Sequence, residues 1–144
     1  MLIKVVCLIT LIAFWHLRML LYVTVVRGVF GKSITANMLT AYYSKGCDSE
    51  KMFSELEISE AEDFKKHLNK YDVIHLDIQW CMEPAGGPER IVSYISEKTI
   101  QELREYYPNV LKESTTSLPE ALAMINAETG NKFIIIIDEW MFDS

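Results

Sequence analysis

Two short segments of the sequence carry residue types that suit the binding of a phosphate and a metal ion. The first is Gly31-Lys32-Ser33, which follows an apolar run and precedes a helical pattern. A glycine lets the backbone approach a phosphate, and the amides at a helix N-terminus point toward the anion. We expect Lys32 to reach the β- and γ-phosphates of a nucleotide and the Ser33 hydroxyl to hold Mg²⁺.

The Gly-Lys-Ser signal is weak by itself, because such a turn also occurs as a plain solvated entry into a helix. The usual phosphate-binding loop has the pattern G-x-x-x-x-G-K-[ST]. Here Val26 stands at the position of the first glycine, and the nearer glycine is Gly28. The residues predicted to bind nucleotide are Gly28, Phe30, Gly31, Lys32, Ser33 and Ile34.

The second segment, KFIIIIDEW, is an apolar strand pattern that leads into Asp138 and Glu139. A run of isoleucines is typical of a core strand, but an acidic pair at its carboxyl end is less common. Asp138 is expected to hold Mg²⁺ through water, and Glu139, the predicted catalytic residue, to polarise an attacking water. The order of the two segments favours a site for ATP and Mg²⁺, although these residues do not distinguish ATP from GTP.

Asp77 ends another apolar strand pattern, VIHLDI, and is a rival to Asp138. It lacks a following acid, so we interpret it as a polar strand-end residue near the site, within reach of nucleotide or water. His75 in the same pattern is interpreted as a core histidine with one satisfied nitrogen rather than as a catalyst. Trp80 and Trp140 are interpreted as packing residues rather than as a platform for stacking a base.

The elements that would position these residues alternate between strands and helices. Ser59 with Glu62, and Ser117 with Glu120, form capping-box patterns that indicate two helix starts, and Gly130 ends the second helix. The alternation predicts an α/β fold, namely an incomplete P-loop NTPase-like parallel sheet flanked by helices, with ligands at the carboxyl ends of the strands. Predicted strands are 20–26, 72–78 and 132–137, predicted helices include 33–44 and 89–107, and 83–88 is a predicted loop.

The apolar N-terminal segment has three interpretations. A membrane span through residues 5–26 has Lys4 and Arg27 at its ends, but Arg18 near its centre makes insertion costly. A signal peptide would need a small-residue cleavage site, which is absent. We favour the third interpretation, a buried parallel strand at residues 20–26. A cytoplasmic location is therefore expected, with a single-pass membrane protein as the alternative.

The composition argues against several classes of protein. The formal net charge is −6, so no broad nucleic-acid footprint is expected. The cysteines are odd in number and widely spaced, which indicates a reducing compartment rather than a disulfide framework. Cys81 and His75 lack a second close pair, so we expect them to pack rather than to bind a metal.

The stretch FGKSITANMLTAYYSKG, the VIHLDI strand and KFIIIIDEW, in that order, resemble the bacterial AAA-ATPase-like family over residues 30–140. By this likeness Lys32 and Ser33 take the phosphate and magnesium roles, and Asp138 and Glu139 take the roles of the second motif. The likeness implies a partial AAA-ATPase-like nucleotide-binding domain over residues 20–144, with residues 1–19 unassigned. Because a nuclease-like domain follows in many members, it also implies such a domain or protein as a partner.

The sequence departs from the family pattern at two places. Residues 26–29 stand where members carry Arg-Pro-Arg-Arg, and only Met-Phe-Asp-Ser follows Trp140, where members continue. An arginine finger alone contributes about 10³–10⁵-fold in rate, so hydrolysis by this chain alone is not expected. One hypothesis for both departures is a shift of reading frame near Phe30 and after Trp140, which resequencing of the gene tests. The competing functions are an ATP-binding domain, a remnant that binds nothing tightly, and a membrane-anchored α/β protein.

Overall fold

The computed structural model of this 144-residue chain describes residues 22–25 and 32–138, with side chains for residues 34–138. The strands of the described part form one parallel sheet in the order β1 (Tyr22–Val25), β3 (Phe133–Asp138), β2 (Asp72–Asp77). This arrangement confirms the predicted α/β class and the parallel sheet flanked by helices. The described helices are α1 (Lys32–Tyr43), α2 (Glu50–Phe53), α3 (Phe64–His67), α4 (Ile78–Ala85), α5 (Ile91–Tyr106) and α6 (Leu118–Thr129), with 3-10 turns at Glu57–Glu60 and Pro88–Arg90.

Strand β3 lies in the centre of the sheet, as its sequence explains. A strand that helices bury on both faces reads as a continuous apolar run, and the isoleucines of β3 form such a run. Ile134 and Ile136 pack in one cluster with Ala36 of α1. Phe133 and Ile135 point the other way, into a cluster built by α5 and α6. Helices therefore cover both faces of the sheet.

The strand register brings the ends of all three strands to the same edge of the sheet. Val25 of β1 is paired with Ile137 of β3, and Asp77 of β2 is paired with Asp138 of β3. We call the edge formed by Val25, Asp77 and Asp138 the carboxyl edge. In open parallel sheets, ligands bind outside this edge, where loops lead from strands into helices.

The longer helices lie close to their predicted positions, and of the two helix starts predicted from capping boxes one is confirmed and one is wrong. Ser59 does not start a helix: it lies in the first 3-10 turn, where its hydroxyl donates to the carbonyls of Ser54 and Leu56. The next helix, α3, has four residues, because Asn69 then turns the chain toward β2 with a φ of 54°. Ser117 does precede α6, but its hydroxyl makes no capping hydrogen bond.

The segment 83–88, predicted to be a loop, is helical as far as Ala85 because α4 extends into it. The Asp77 carboxylate accepts a hydrogen bond from the Trp80 N–H and so begins the helix. The first and last residues of α4 are buried, which holds the helix against the molecule. Gly86, in the left-handed conformation with a φ of 79°, ends it.

Residues 1–19 and most of the candidate span 5–26 lie outside the described residues. The exception is β1, which falls inside the predicted strand at residues 20–26. Among the described residues, no helix is both long enough and apolar enough to cross a membrane. The cytoplasmic location stays a prediction.

Candidate functional site

Helix α1 runs from the carboxyl edge to the opposite edge of the sheet. It begins at Lys32, which residues 26–31 connect to β1, and beyond its other end Ser44 forms a bridge to Tyr71, just ahead of β2. Ala36 is fully buried and packs α1 against β3. The N-terminus of this 12-residue helix therefore lies at the carboxyl edge. Its first-turn N–H groups and the positive end of its dipole favour an anion.

Asp138 ends the central strand at the carboxyl edge and is only 2% exposed. Side chains alternate along a strand, so Asp138 shares the face of Ile134 and Ile136, which pack against α1. β1 and β3 are paired as far as Val25 and Ile137, so Asp138 lies one residue beyond the last position of β3 that is paired with β1. A buried carboxylate beside a helix N-terminus suits a cation that is itself bound to an anion.

Asp77 is the register partner of Asp138 on the neighbouring strand β2. It lies on the same face of the sheet, because His75, two positions earlier, is bonded to Thr40 of α1. Adjacent strands are about 4.8 Å apart, so the two residues are neighbours at the carboxyl edge. The structure agrees with the interpretation of Asp77 as a polar strand-end residue, and adds its pairing with Asp138 and its role as the N-cap of α4.

His75 has one satisfied ring nitrogen, as its position in the sequence indicated. Its Nδ1 lies 3.2 Å from the Thr40 hydroxyl, which donates to the Ala36 carbonyl at 2.9 Å. Nε2 is buried and has no partner among the described residues. Sequence reasoning missed Thr40, although it follows Ala36 by one helical turn on the stripe that faces the sheet.

A groove of about 580 Å³ runs along the side of β2 that faces away from β3, between this strand and α5. His75, Asp77 and Cys81 are among the residues that line it. Burial, and then the nearby charge of Asp77, raises the pKa of the Cys81 thiol, so this thiol stays neutral and is a poor nucleophile. The groove meets the carboxyl edge at Asp77 and presents hydrogen-bond acceptors there.

Two large apolar side chains are exposed near the carboxyl edge. Trp80 is 82% exposed, so its interpretation as a packing residue is wrong. The reason is helical geometry: α4 buries Ile78, and a residue two positions later points about 200° around the helix. The same offset separates buried Ala36 from Ile34, which is 66% exposed. Ile34, predicted to bind nucleotide, is therefore accessible to a ligand.

The structure describes some of the predicted site residues and leaves others outside its described part. The backbones of Lys32 and Ser33 open α1 at the carboxyl edge, and Asp138 ends β3 at the same edge. The roles predicted for these residues and for Ile34 stay predictions. The residues of the predicted site that lie outside the described part of the chain are Gly28, Phe30, Gly31 and Glu139, and Trp140 lies there too.

Comparison with known proteins gives one match. A family model described as "predicted AAA-ATPase" matches residues 24–143, which is most of the chain. The matched range contains both segments from which the resemblance was identified, Gly31-Lys32-Ser33 and residues 134–139, and the resemblance is thereby confirmed. No curated protein and no solved structure matches this chain.

Proposed function

This chain belongs to the AAA-ATPase-like family, and we propose that it binds a nucleoside triphosphate, ATP, together with Mg²⁺ at the carboxyl edge of the sheet. The observation that carries the proposal is that the N-terminus of α1 and the buried carboxylate of Asp138 lie at one edge and on one face. The helix end favours the phosphate groups, and the carboxylate favours the cation that accompanies them.

The groups at the carboxyl edge fit a magnesium–triphosphate complex. Mg²⁺ prefers oxygen ligands and keeps several of its waters, so one carboxylate, one hydroxyl and phosphate oxygens suffice to hold it. Asp138 supplies the carboxylate, and we assign the hydroxyl to Ser33. No three His, Cys, Asp or Glu side chains come together as a preformed metal site in the described part of the chain.

The roles proposed for individual residues follow from their charge and their place in the chain. Bound Mg²⁺ would neutralise charge on the β- and γ-phosphates, and the Lys32 ammonium would add to that effect. Glu139 follows Asp138 directly and would hold a water near the γ-phosphate. The proposal concerns binding, and turnover by this chain alone is not part of it. The residues assigned to the nucleotide are Gly28, Phe30, Gly31, Lys32, Ser33 and Ile34.

Thermal unfolding with and without Mg-ATP tests the proposal. Ligand at one hundred times its Kd stabilises a folded protein by about 2.7 kcal/mol. For a chain of this size that corresponds to a rise in melting temperature of roughly 10 °C. Lys32→Ala is expected to remove most of the rise, because the triphosphate would lose its main neutralising side chain. Mg-GTP in place of Mg-ATP measures the preference for the base.

The matched control is Lys132→Ala, which removes an exposed lysine from the opposite edge of the sheet, next to the start of β3. This variant should keep the full rise in melting temperature. A wild-type chain that melts at the same temperature with and without millimolar Mg-ATP or Mg-GTP would contradict the proposal. So would a nucleotide-induced rise that Lys32→Ala retains in full.

A further inference from the structure

We propose that Asp77 is a second carboxylate of the magnesium–nucleotide site and holds a water of the hydrated Mg²⁺ ion. This inference rests on the proposed function and extends it to a residue on another strand. Asp77 is a positioning residue in this arrangement, because it acts on the ion through water.

The strand register places Asp77 close to any ion that Asp138 binds. The two residues are direct partners at the carboxyl ends of adjacent strands, and both lie on the face covered by α1. Adjacent strands are about 4.8 Å apart, and the waters of Mg²⁺ lie about 2.1 Å from the ion. A carboxylate one strand away is therefore placed to accept a hydrogen bond from one of those waters.

The second carboxylate oxygen of Asp77 is able to accept a hydrogen bond from such a water. Asp77 Oδ1 accepts the Trp80 N–H at 3.2 Å, and Oδ2 has no hydrogen bond within the described residues. Metal-bound water offers hydrogen-bond donors, whereas phosphate oxygens offer only acceptors. A negatively charged acceptor on the strand next to Asp138 thus points to a hydrated cation.

Helix capping alone would also account for an aspartate at position 77, and the two roles can be separated. Asp77→Asn keeps an oxygen that caps α4, since asparagine is as good an N-cap as aspartate, but it removes the negative charge. The matched control is Glu128→Gln, which removes one negative charge from an exposed side chain near the end of α6. That position precedes β3 and lies toward the opposite edge of the sheet.

The experiment measures melting temperatures of the full chain at saturating ATP while MgCl₂ is titrated, with ATP and EDTA as the metal-free reference. We expect Asp77→Asn to keep the shift seen with ATP and EDTA. The Asp77→Asn variant should require about tenfold more Mg²⁺ than the wild type to reach half of the magnesium-dependent shift in melting temperature. This is the change in affinity expected when one hydrogen bond to a charged group is lost. Glu128→Gln should follow the wild-type titration.

Superimposable Mg²⁺ titrations of Asp77→Asn and the wild type would overturn this inference and leave the proposed function standing. A wild type without any ATP-induced shift would overturn both. If Asp77→Asn melts too low for the titration, Asp77→Ser keeps a capping hydroxyl and is compared by calorimetric titration with Mg-ATP at low temperature. An affinity of Asp77→Ser equal to that of the wild type would again refute the role of Asp77.

Discussion

Replacing Tyr107 with phenylalanine is expected to break a polar cluster that joins α5 to the sheet. The Tyr107 hydroxyl donates to Asp72 Oδ2 at 2.7 Å and accepts from Asn131 Nδ2 at 2.9 Å. Lys45 completes the cluster, with Nζ 3.1 Å from Asp72 Oδ2 and 2.9 Å from Asn131 Oδ1. The cluster fastens the chain beyond α1 and α5 to the starts of β2 and β3, at the edge opposite the candidate site.

The loss of stability expected for Tyr107→Phe can be bounded from the raised pKa of the Tyr107 hydroxyl. Burial, and then the hydrogen bond to Asp72, raises the pKa of Tyr107 from 10.0 to about 12. Folding thus favours the protonated form, so the stabilisation is complete below about pH 10 and is lost as the pH rises to about 12. One pKa unit corresponds to about 1.36 kcal/mol, which sets an upper bound of about 2.7 kcal/mol. Screening of this partly exposed cluster by solvent reduces that to roughly 1–2 kcal/mol.

Urea denaturation between pH 8 and pH 12, followed by circular dichroism, measures the free energy of unfolding. Tyr107→Phe should lie below the wild type by about 1–2 kcal/mol at pH 8, and the difference should approach zero near pH 12. Tyr106→Phe is the matched control, because Tyr106 is the preceding residue and is 80% exposed. A difference of equal size at both ends of the pH range would refute the reasoning about the pKa. No difference at pH 8 would refute the contribution of the cluster.

Two further substitutions test local interactions by the same urea assay. Asn69→Ala should lower the free energy of unfolding by about 2–3 kcal/mol, because the Asn69 amide group donates to the carbonyls of Ala41 and Ser44 and accepts from the Ser49 N–H. A loss well under about 1 kcal/mol would contradict the contribution of these hydrogen bonds. Ser59→Ala should change it by less than about 0.5 kcal/mol, because the Ser59 hydroxyl bonds only to nearby carbonyls. A loss of about 1 kcal/mol, as for a true N-cap, would mean that the capping prediction was sound after all.

The central strand and the first helix were predictable because each carries its own burial pattern. Residues 132–137 were predicted as a strand and β3 is Phe133–Asp138, and residues 33–44 were predicted as a helix and α1 is Lys32–Tyr43. A continuous apolar run is what burial on two faces requires, and an apolar stripe is what burial on one face requires. These local patterns coincide with the packing that the fold imposes.

The helix starts were less predictable from capping residues, because a serine or aspartate side chain can bond to several nearby backbone groups besides the N–H groups of a helix. The sequence places serine at position 59, but the hydroxyl finds carbonyls behind it rather than amides ahead. Asp77 caps a helix that composition did not indicate, since the segment 83–88 contains two prolines and two glycines. The wrong prediction for Trp80 has the same cause. Since α4 was not predicted, no helical periodicity was available to show that the Trp80 side chain points to solvent.

The site was predictable in outline, because parallel strands place their carboxyl ends at one edge, but the pairing of Asp77 with Asp138 was not. A strand register is specified where an alternating pattern buries one face, and the continuous apolar run of β3 carries no such alternation. Positions within a strand differ by about 3.3 Å per residue, so a shift of one or two residues would have separated the two carboxylates. The inference about Asp77 therefore could only be drawn from the structure.

Asp138 is the residue at this edge that packing explains least. It follows a run of isoleucines on the central strand and is 2% exposed. A buried carboxylate costs several kcal/mol unless nearby groups compensate it, and a strand selected for packing alone would end in another apolar residue. Asp77 has an independent explanation as a helix cap, but it adds a second negative charge about one strand spacing away. In the proposed function, a bound Mg²⁺ would offset part of the cost of burying the first carboxylate and of placing the second one a strand away, and the Mg²⁺ titration of Asp77→Asn measures the second contribution.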